Sequence, residues 1–321
     1  MNRILHEEVL QEAKFSEHKL QSNDILFKFY NTGFTTEAEK IKQCGNYLEF
    51  TLKEHQITKD QKKKLAGANF CKNRFCPMCN WRRVRNITGQ LKEAFSVIQE
   101  KQKVATLFLT LTVKNPQVQD LRETITMMNK SFNQMAKTKA YKKAILGHFK
   151  SVEILGDKTP KGEAHPHFHI LLIVNESYFK SKNYLSKSKF TEMWKKALGV
   201  EYTPVVDVRR IKSKNENFSD IDSAILETVK YSVKHTELVK VANEDFYYLY
   251  TQTKNLRFIS AGGILKQHLN LIKIDDDLIN LKKENEALWI EICRLIYSWK
   301  NGDYHLKEIK PPKTKDSELP N

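Results

Sequence analysis

No apolar run in this 321-residue chain approaches the ~18 residues that a membrane-crossing helix needs, so no transmembrane segment is expected. The opening stretch, MNRILHEEVLQEAK, is acidic and amphipathic and does not read as a signal peptide. Internal repeats and low-complexity blocks are missing too, which leaves no support for a repeat architecture. Cysteine is scarce. There are five, and three of them cluster, which points to a metal site in a reducing compartment and away from a disulfide framework. The expected location is the cytoplasm. Acidic residues are in deficit, with 38 Asp and Glu against 54 Lys and Arg, a formal charge of +16 and a pI near 9.4. That excess suits a polyanionic partner, most simply nucleic acid. The length allows a substantial core and one to three domains.

The chain divides, on pattern, into five parts. Residues 1–43 read as a mostly helical N-terminal segment. Residues 44–99 hold four cysteines and then a basic helix that starts at Trp81. Residues 100–240 carry the densest pattern. Val104–Val113 alternates, with Leu107, Leu109, Leu111 and Val113 on one face and Thr106, Phe108, Thr110 and Thr112 on the other, the mark of a strand. Residues 118–146 read as helix, Phe149–Leu155 and His167–Val174 as strands, and residues 188–198 as helix. Val205–Ile211 reads as a further strand, and residues 219–239 as helix. This order is a split βαβ pattern, giving an α+β fold with a central antiparallel sheet of the ferredoxin or RRM-like kind and helices packed on it. Residues 241–310 are expected to be mostly helical, with Leu288, Ile292, Leu295 and Trp299 forming the stripe of an amphipathic helix over 278–299. Residues 311–321 read as a disordered tail.

The densest chemistry lies in EAHPHFHILLIVN. His167 and His169 precede a five-residue aliphatic run that reads as a buried strand. Residues i and i+2 of a strand point to one face, about 7 Å apart along the chain. The two imidazoles can therefore share one ion. Pairing the strand before it through the turn-rich GDKTPKGEA puts Glu153 on the same side. One carboxylate and two imidazoles suit Mg²⁺ or Mn²⁺, and zinc less well. His165 shares this parity, but Pro166 leaves its direction open.

Downstream, Glu227 and Tyr231 are i and i+4, neighbours if the segment is helical. Lys230 and Lys234 form an adjacent basic edge suited to phosphate. Near a divalent cation the Tyr231 phenol could attack a scissile phosphate, leaving a 5′-phosphotyrosine and a free 3′-OH. Spacing alone does not separate this from a half-buried helix aromatic, since the chain has 12 tyrosines.

Cys71-x4-Cys76-x2-Cys79, with Cys44 as an available fourth thiolate, suits a closed tetrahedral Zn²⁺ site of structural type. The helix after Cys79 carries Arg82, Arg83 and Arg85, candidate contacts to DNA phosphates, with Arg209, Arg210 and Lys212 as weaker candidates for the same groove. A solvated basic face is the plainer alternative. Cys293 reads as a packed residue.

FLTLT (Phe108–Thr112), HPHFHILL (His165–Leu172), ExxxY (Glu227–Tyr231) and ANFCKNRFCPMCNWRR (Ala68–Arg83) occur together and in order. This set resembles the rolling-circle replication initiators of small Gram-positive plasmids, within the HUH endonuclease superfamily, over roughly residues 44–265. The resemblance implies an HUH fold and a nick in the plus strand at a hairpin of the plasmid double-strand origin. It implies Tyr231 as nucleophile and His167 and His169 as metal ligands. Glu227 would serve termination in place of a second tyrosine. No tyrosine stands four residues either side of Tyr231, where Glu227 and His235 lie. Thr110 and Thr112 match the family's first motif and read as support beneath the site. A host helicase and polymerase are implied as partners. The alternatives are a mobilisation relaxase or transposase, which typically carries its tyrosine before the histidine motif, and a non-enzymatic zinc-containing DNA-binding protein.

Overall fold

The computed structural model describes residues 2–212, 219–229, 234–269, 277–279 and 287–313. It is a mixed α+β protein with two antiparallel sheets. Along the chain come α1 (Asn2–Asn31), α2 (Thr35–Gln43), β1 (Tyr47–His55), β2 (Gln61–Ala68) and α3 (Pro77–Lys101). Next are β3 (Val104–Thr112), α4 (Leu121–Lys137), α5 (Lys139–Ala144), β4 (Gly147–Glu153) and β5 (His167–Asn175). Then follow α6 (Lys187–Leu198), β6 (Val206–Arg209), α7 (Asp220–Thr228), α8 (His235–Leu238), α9 (Asn243–Thr253) and β7 (Ile259–Gly263). The last elements are β8 (Trp289–Lys300) and β9 (Asp303–Lys310). Among the described residues no helix is long and apolar enough to cross a membrane.

Two compact units result, one from residues 1–86 and 275–321, the other from residues 87–274. The second is built on a five-stranded sheet of order β6-β3-β5-β4-β7, every pair antiparallel. Strand β5 lies between β3 and β4, and its apolar run Ile170–Val174 is buried on both faces. The reason is that helices cover both sides of the sheet. On one side Phe168 meets Phe132 of α4 at 6.1 Å and Trp194 of α6 at 6.3 Å between ring centroids. Trp194 also donates its indole N–H to the carbonyl of Thr112 at 2.8 Å, which anchors α6 to the end of β3. On the other side lies α7, whose Ala224, Ile225 and Thr228 are buried. Ser151 of β4 donates to the carbonyl of Thr228 at 2.7 Å and fixes the end of that helix on the sheet.

Two sequence readings are corrected here. Residues 289–310 are a strand hairpin, not part of a mostly helical C-terminal region, and the helix expected over 278–299 is absent from its described part. The stripe through Leu288, Ile292, Leu295 and Trp299 matched a helical period. The same segment, WIEICRLIYSWK, is rich in β-branched and aromatic residues that favour a pleated surface. It pairs with β1 from Tyr47↔Ser298 to His55↔Trp289, giving a four-stranded sheet of order β2-β1-β8-β9. Asn301 and Gly302 close the hairpin at φ of 54° and 85°, the left-handed pair that a two-residue turn needs. The second correction is the single helix over 219–239. α7 ends at Thr228, where Val229 turns out at φ −90°, ψ 9°, and Lys234 is extended at φ −79°, ψ 128°.

One buried charge carries a stability prediction. Lys150 of β4 is 4% exposed, with its ammonium against Asn129 and 4.0 Å over the Phe168 ring. Burial pulls its pKa down to about 7 from 10.5. The native chain then binds fewer protons than the unfolded chain between those values, so stability rises with pH across that window and is flat below it. The expected slope is at most about 1.4 kcal/mol per pH unit. Thermal melts from pH 7 to 9 should show this rise, and Lys150→Met should flatten it. An equal slope in the variant would remove Lys150 as its source.

Candidate active site and metal centres

The sheet of the second unit brings three of the expected ligands together. Glu153 lies opposite His167 across β4 and β5, and Ser151 lies opposite His169. Across the other edge of β5, Thr112 and Thr110 stand opposite the same two histidines. Directly opposed residues of an antiparallel pair share a face, so all of these side chains lie on the α7 side. The Nε2 atoms of His167 and His169 are 3.0 Å apart. Glu153 Oε2 is 2.8 Å from the second and 3.3 Å from the first. His165 is outside this trio; its Nδ1 pairs with Asn115 Oδ1 at 2.8 Å.

Hydrogen bonding states what this trio can accept. His167 Nδ1 lies 2.9 Å from the carbonyl of His165, which can only accept, so the proton sits on Nδ1 and Nε2 presents a lone pair. That lone pair faces a carboxylate oxygen that is also an acceptor. A cation between them removes the repulsion. Octahedral ligands at about 2.1 Å from an ion lie about 3.0 Å apart at right angles, and the three separations bracket that value. The residues therefore fit a divalent cation on one triangular face. His169 is held in place by stacking on Phe108, 5.1 Å between centroids and 25° between planes.

Lys234 completes the cluster. Its ammonium is 2.9 Å from Glu153 Oε1 and 3.0 Å from Glu237 Oε1. Burial works to raise the pKa of Glu153, but its bonds to His167, His169 and Lys234 prevail and hold the carboxyl well below the usual carboxylate range. Burial likewise works against the Lys234 ammonium, and the two carboxylates outweigh it and push that pKa up. Lys234, expected as a phosphate contact, is thus engaged by carboxylates here. Glu237 had no signal of its own in the sequence, because it lies past the end of α7 in a helix of four residues.

Lys230 and Tyr231 lie outside the described residues. Glu227 is described, near the end of α7, with Oε1 3.4 Å from Arg209. Arg209 and Arg210 are exposed, and Arg210 pairs with Asp220 at 3.7 Å.

In the first unit Cys44, Cys71, Cys76 and Cys79 converge, with all ligand atoms within 4.8 Å of one another. The sulfurs of Cys44 and Cys79, Cys71 and Cys79, and Cys76 and Cys44 are 3.5, 3.6 and 3.7 Å apart. A tetrahedron with Zn–S bonds of about 2.3 Å has edges of about 3.8 Å, so the four thiols fit one ion. Backbone amides of Cys71 and Lys72 point at the sulfurs of Cys44 and Cys79, at 3.3 and 3.2 Å, the partners that thiolates need. Cys293 is not part of this group.

The basic helix needs correction. Arg82 and Arg83 are 1% and 5% exposed and do not face solvent. Arg82 donates to the carbonyls of Leu278 and Ile279 at 2.8 and 3.1 Å, and Arg83 to those of Asn73 and Lys72. Their donors hold the cysteine loop and the returning chain, so they are structural and not phosphate contacts. Arg85, one step round the helix, is exposed and lies 5.5 Å over the Trp81 ring.

A buried carboxylate and two imidazoles on a central strand, together with a four-cysteine knot, define a protein with two metal-ready centres. Residues 62–306 match the model of a family described as replication protein. The chain is 34% identical over 295 residues to a "Protein rep" of Bacillus sp, covering 85% of this chain and 93% of that one. It is 34% identical over 286 residues to a "Protein rep" of Streptococcus pneumoniae serotype 2, covering 87% of each. A "Replication protein" of Staphylococcus aureus is 33% identical over 228 residues, covering 68% of this chain and 97% of that one. The chain belongs to this family of replication (Rep) proteins, in agreement with the resemblance of its motifs. No solved structure matches it.

Proposed function

We propose that this Rep protein initiates plasmid rolling-circle replication by nicking one strand of the origin through a tyrosine. The observation that carries the reading is the facial trio of Glu153, His167 and His169, its ligand atoms spaced for one divalent cation. The strand order of the second unit supports an HUH fold, since β6-β3-β5-β4 is the order that a split βαβ arrangement gives. Mg²⁺ or Mn²⁺ held there would neutralise the scissile phosphate and stabilise the pentacovalent state.

Tyr231 is the proposed nucleophile. It is three residues from Thr228 and three from Lys234, and both of those are tied to the sheet beside the trio, through Ser151 and through Glu153. The phenol oxygen forms a bond to phosphorus, the P–O3′ bond breaks, and the phenol proton leaves to solvent. The free 3′-OH then serves a polymerase, with a host helicase opening the duplex from the nick. Four thiolates around Zn²⁺ would brace the first unit, with no position left for substrate. Exposed Arg85, Arg209 and Arg210 remain the proposed phosphate contacts from the basic set, with Lys230.

The test is an assay with single-stranded origin hairpins and Mg²⁺ or Mn²⁺, followed by peptide mapping of the adduct. A DNA adduct on Tyr231 is expected, and an adduct on another residue, or cleavage without any, would sink the mechanism. Glu227, on the helix that covers the trio, is proposed to serve the second cleavage. Glu227→Ala should spare initial nicking and slow termination by about 10²-fold on a two-origin plasmid. Equal loss in both steps would remove that division of labour.

A further inference from the structure

Beside the trio lies a cavity of about 390 Å³, bounded by the β4–β5 loop and by the connection from α8 to α9. Its loop side is firmly set. Thr159 bonds Gly156 through both its amide and its carbonyl, at 2.8 and 2.9 Å. Asp245 accepts from the Gly162 amide at 3.0 Å. Leu155, Glu237 and Asp245 are buried in its floor, and Pro160, Lys161 and Lys240 are exposed at its rim.

Glu237 is the odd member. Its side chain is 8% exposed, and Oε1 is taken by Lys234. Oε2 is buried without a hydrogen-bond partner. A buried acceptor of this kind calls for a donor. Asp157 and Glu163 also line the cavity and repel an anion, so a phosphate is a poor occupant for the floor. A neutral group with paired donors fits it. Guanine alone among the DNA bases carries adjacent donors, N1–H and the N2 amino group, on its Watson–Crick edge. Adenine and cytosine set a ring acceptor beside their single amino group, which a carboxylate repels. The rim lysines suit the phosphates on either side of the base. Leu155 and Pro160 supply apolar walls for its faces.

We propose that this cavity takes one unstacked guanine of the cleaved strand, with its donor edge against Glu237. The proposal rests on the reading of the trio as a DNA-cleaving centre. One ammonium, that of Lys234, joins Glu237 to Glu153, so the base belongs to a nucleotide close to the scissile phosphate.

The test uses the full chain and the nucleotides dGMP, dIMP, dAMP, dCMP and TMP, followed by ligand-detected NMR. dIMP differs from dGMP only by the missing N2 amino group and carries the same phosphate. We expect dGMP to bind at least about tenfold tighter than dIMP, in line with the loss of a paired hydrogen bond. Glu237→Gln should erase that difference, and Ala242→Trp, which fills the cavity, should weaken all five. Equal binding of dGMP and dIMP to the unaltered protein overturns the proposal, as does a preference that survives Glu237→Gln. The first comparison needs no variant, so a folding defect cannot obscure it. A dGMP preference without any DNA adduct would overturn the cleavage reading alone; an adduct without the preference would overturn the guanine site alone.

Discussion

The double variant His167→Ala/His169→Ala is expected to lose Mn²⁺ binding and to cut single-stranded DNA at least about 10³-fold more slowly. That factor corresponds to about 4 kcal/mol of transition-state stabilisation, a size ordinary for a cation that neutralises a phosphate. The argument begins with the strand. Both rings project from β5, the middle strand of five, and Phe108 packs one of them from the side. Removing both imidazoles leaves Glu153 with Lys234 as its cationic partner, which neutralises it without offering coordination. Titration of Mn²⁺ followed by electron paramagnetic resonance measures the loss directly. Tyr231→Phe supplies the contrast, because it should bind Mn²⁺ normally and form no adduct. If the double variant keeps the ion, Glu153, His167 and His169 are not its ligands.

Cys76→Ser is expected to have the largest effect on folding. Cys76 is wholly buried, and its sulfur lies 3.7 Å from that of Cys44. Structural zinc in small modules contributes apparent binding free energies of roughly 10–16 kcal/mol, and that energy is also folding energy. Loss of one ligand should remove stoichiometric zinc, about one per chain by elemental analysis, and unfold the unit formed by residues 1–86 and 275–321. The second unit has its own sheet and core, so its far-ultraviolet signal and slow-exchanging amides should persist. A metal-free variant with an unchanged melting profile would reduce the four cysteines to packed thiols.

The parts legible in the sequence share a physical reason. β3, β4, β5 and β6 follow from alternation and aliphatic runs, and a side-chain period of two fixed which residues face each other. Glu153 meets His167 because both sit at odd-numbered places on a hairpin with a turn-rich loop. The cysteines were legible because their spacing is local. What was missed depends on contacts far apart in the chain. In WIEICRLIYSWK a helical stripe and a strand pattern coincide, and only the pairing with β1 decides between them. The turn residues Asn301 and Gly302 were the signal against a helix. Arg82 and Arg83 looked like a DNA-facing edge because they are charged. Their burial comes from the carbonyls of residues 72, 73, 278 and 279, which no local pattern brings to them. The break after Thr228 was hidden for a similar reason: the end of α7 is set by Ser151 on the sheet beneath it.

The placing of β8 has a consequence for the order in which the protein comes into being. It is an inner strand of its sheet, with β1 on one side and β9 on the other. Leu48 waits for Tyr297, and Phe50 for Leu295. Loop closure over such a separation is slow compared with local pairing. On the ribosome, residues 87–274 can therefore collapse into their own sheet while the cysteine-bearing unit still lacks its middle. A message cut short before residue 289 would yield a chain with its histidines seated and its zinc-binding half unable to close.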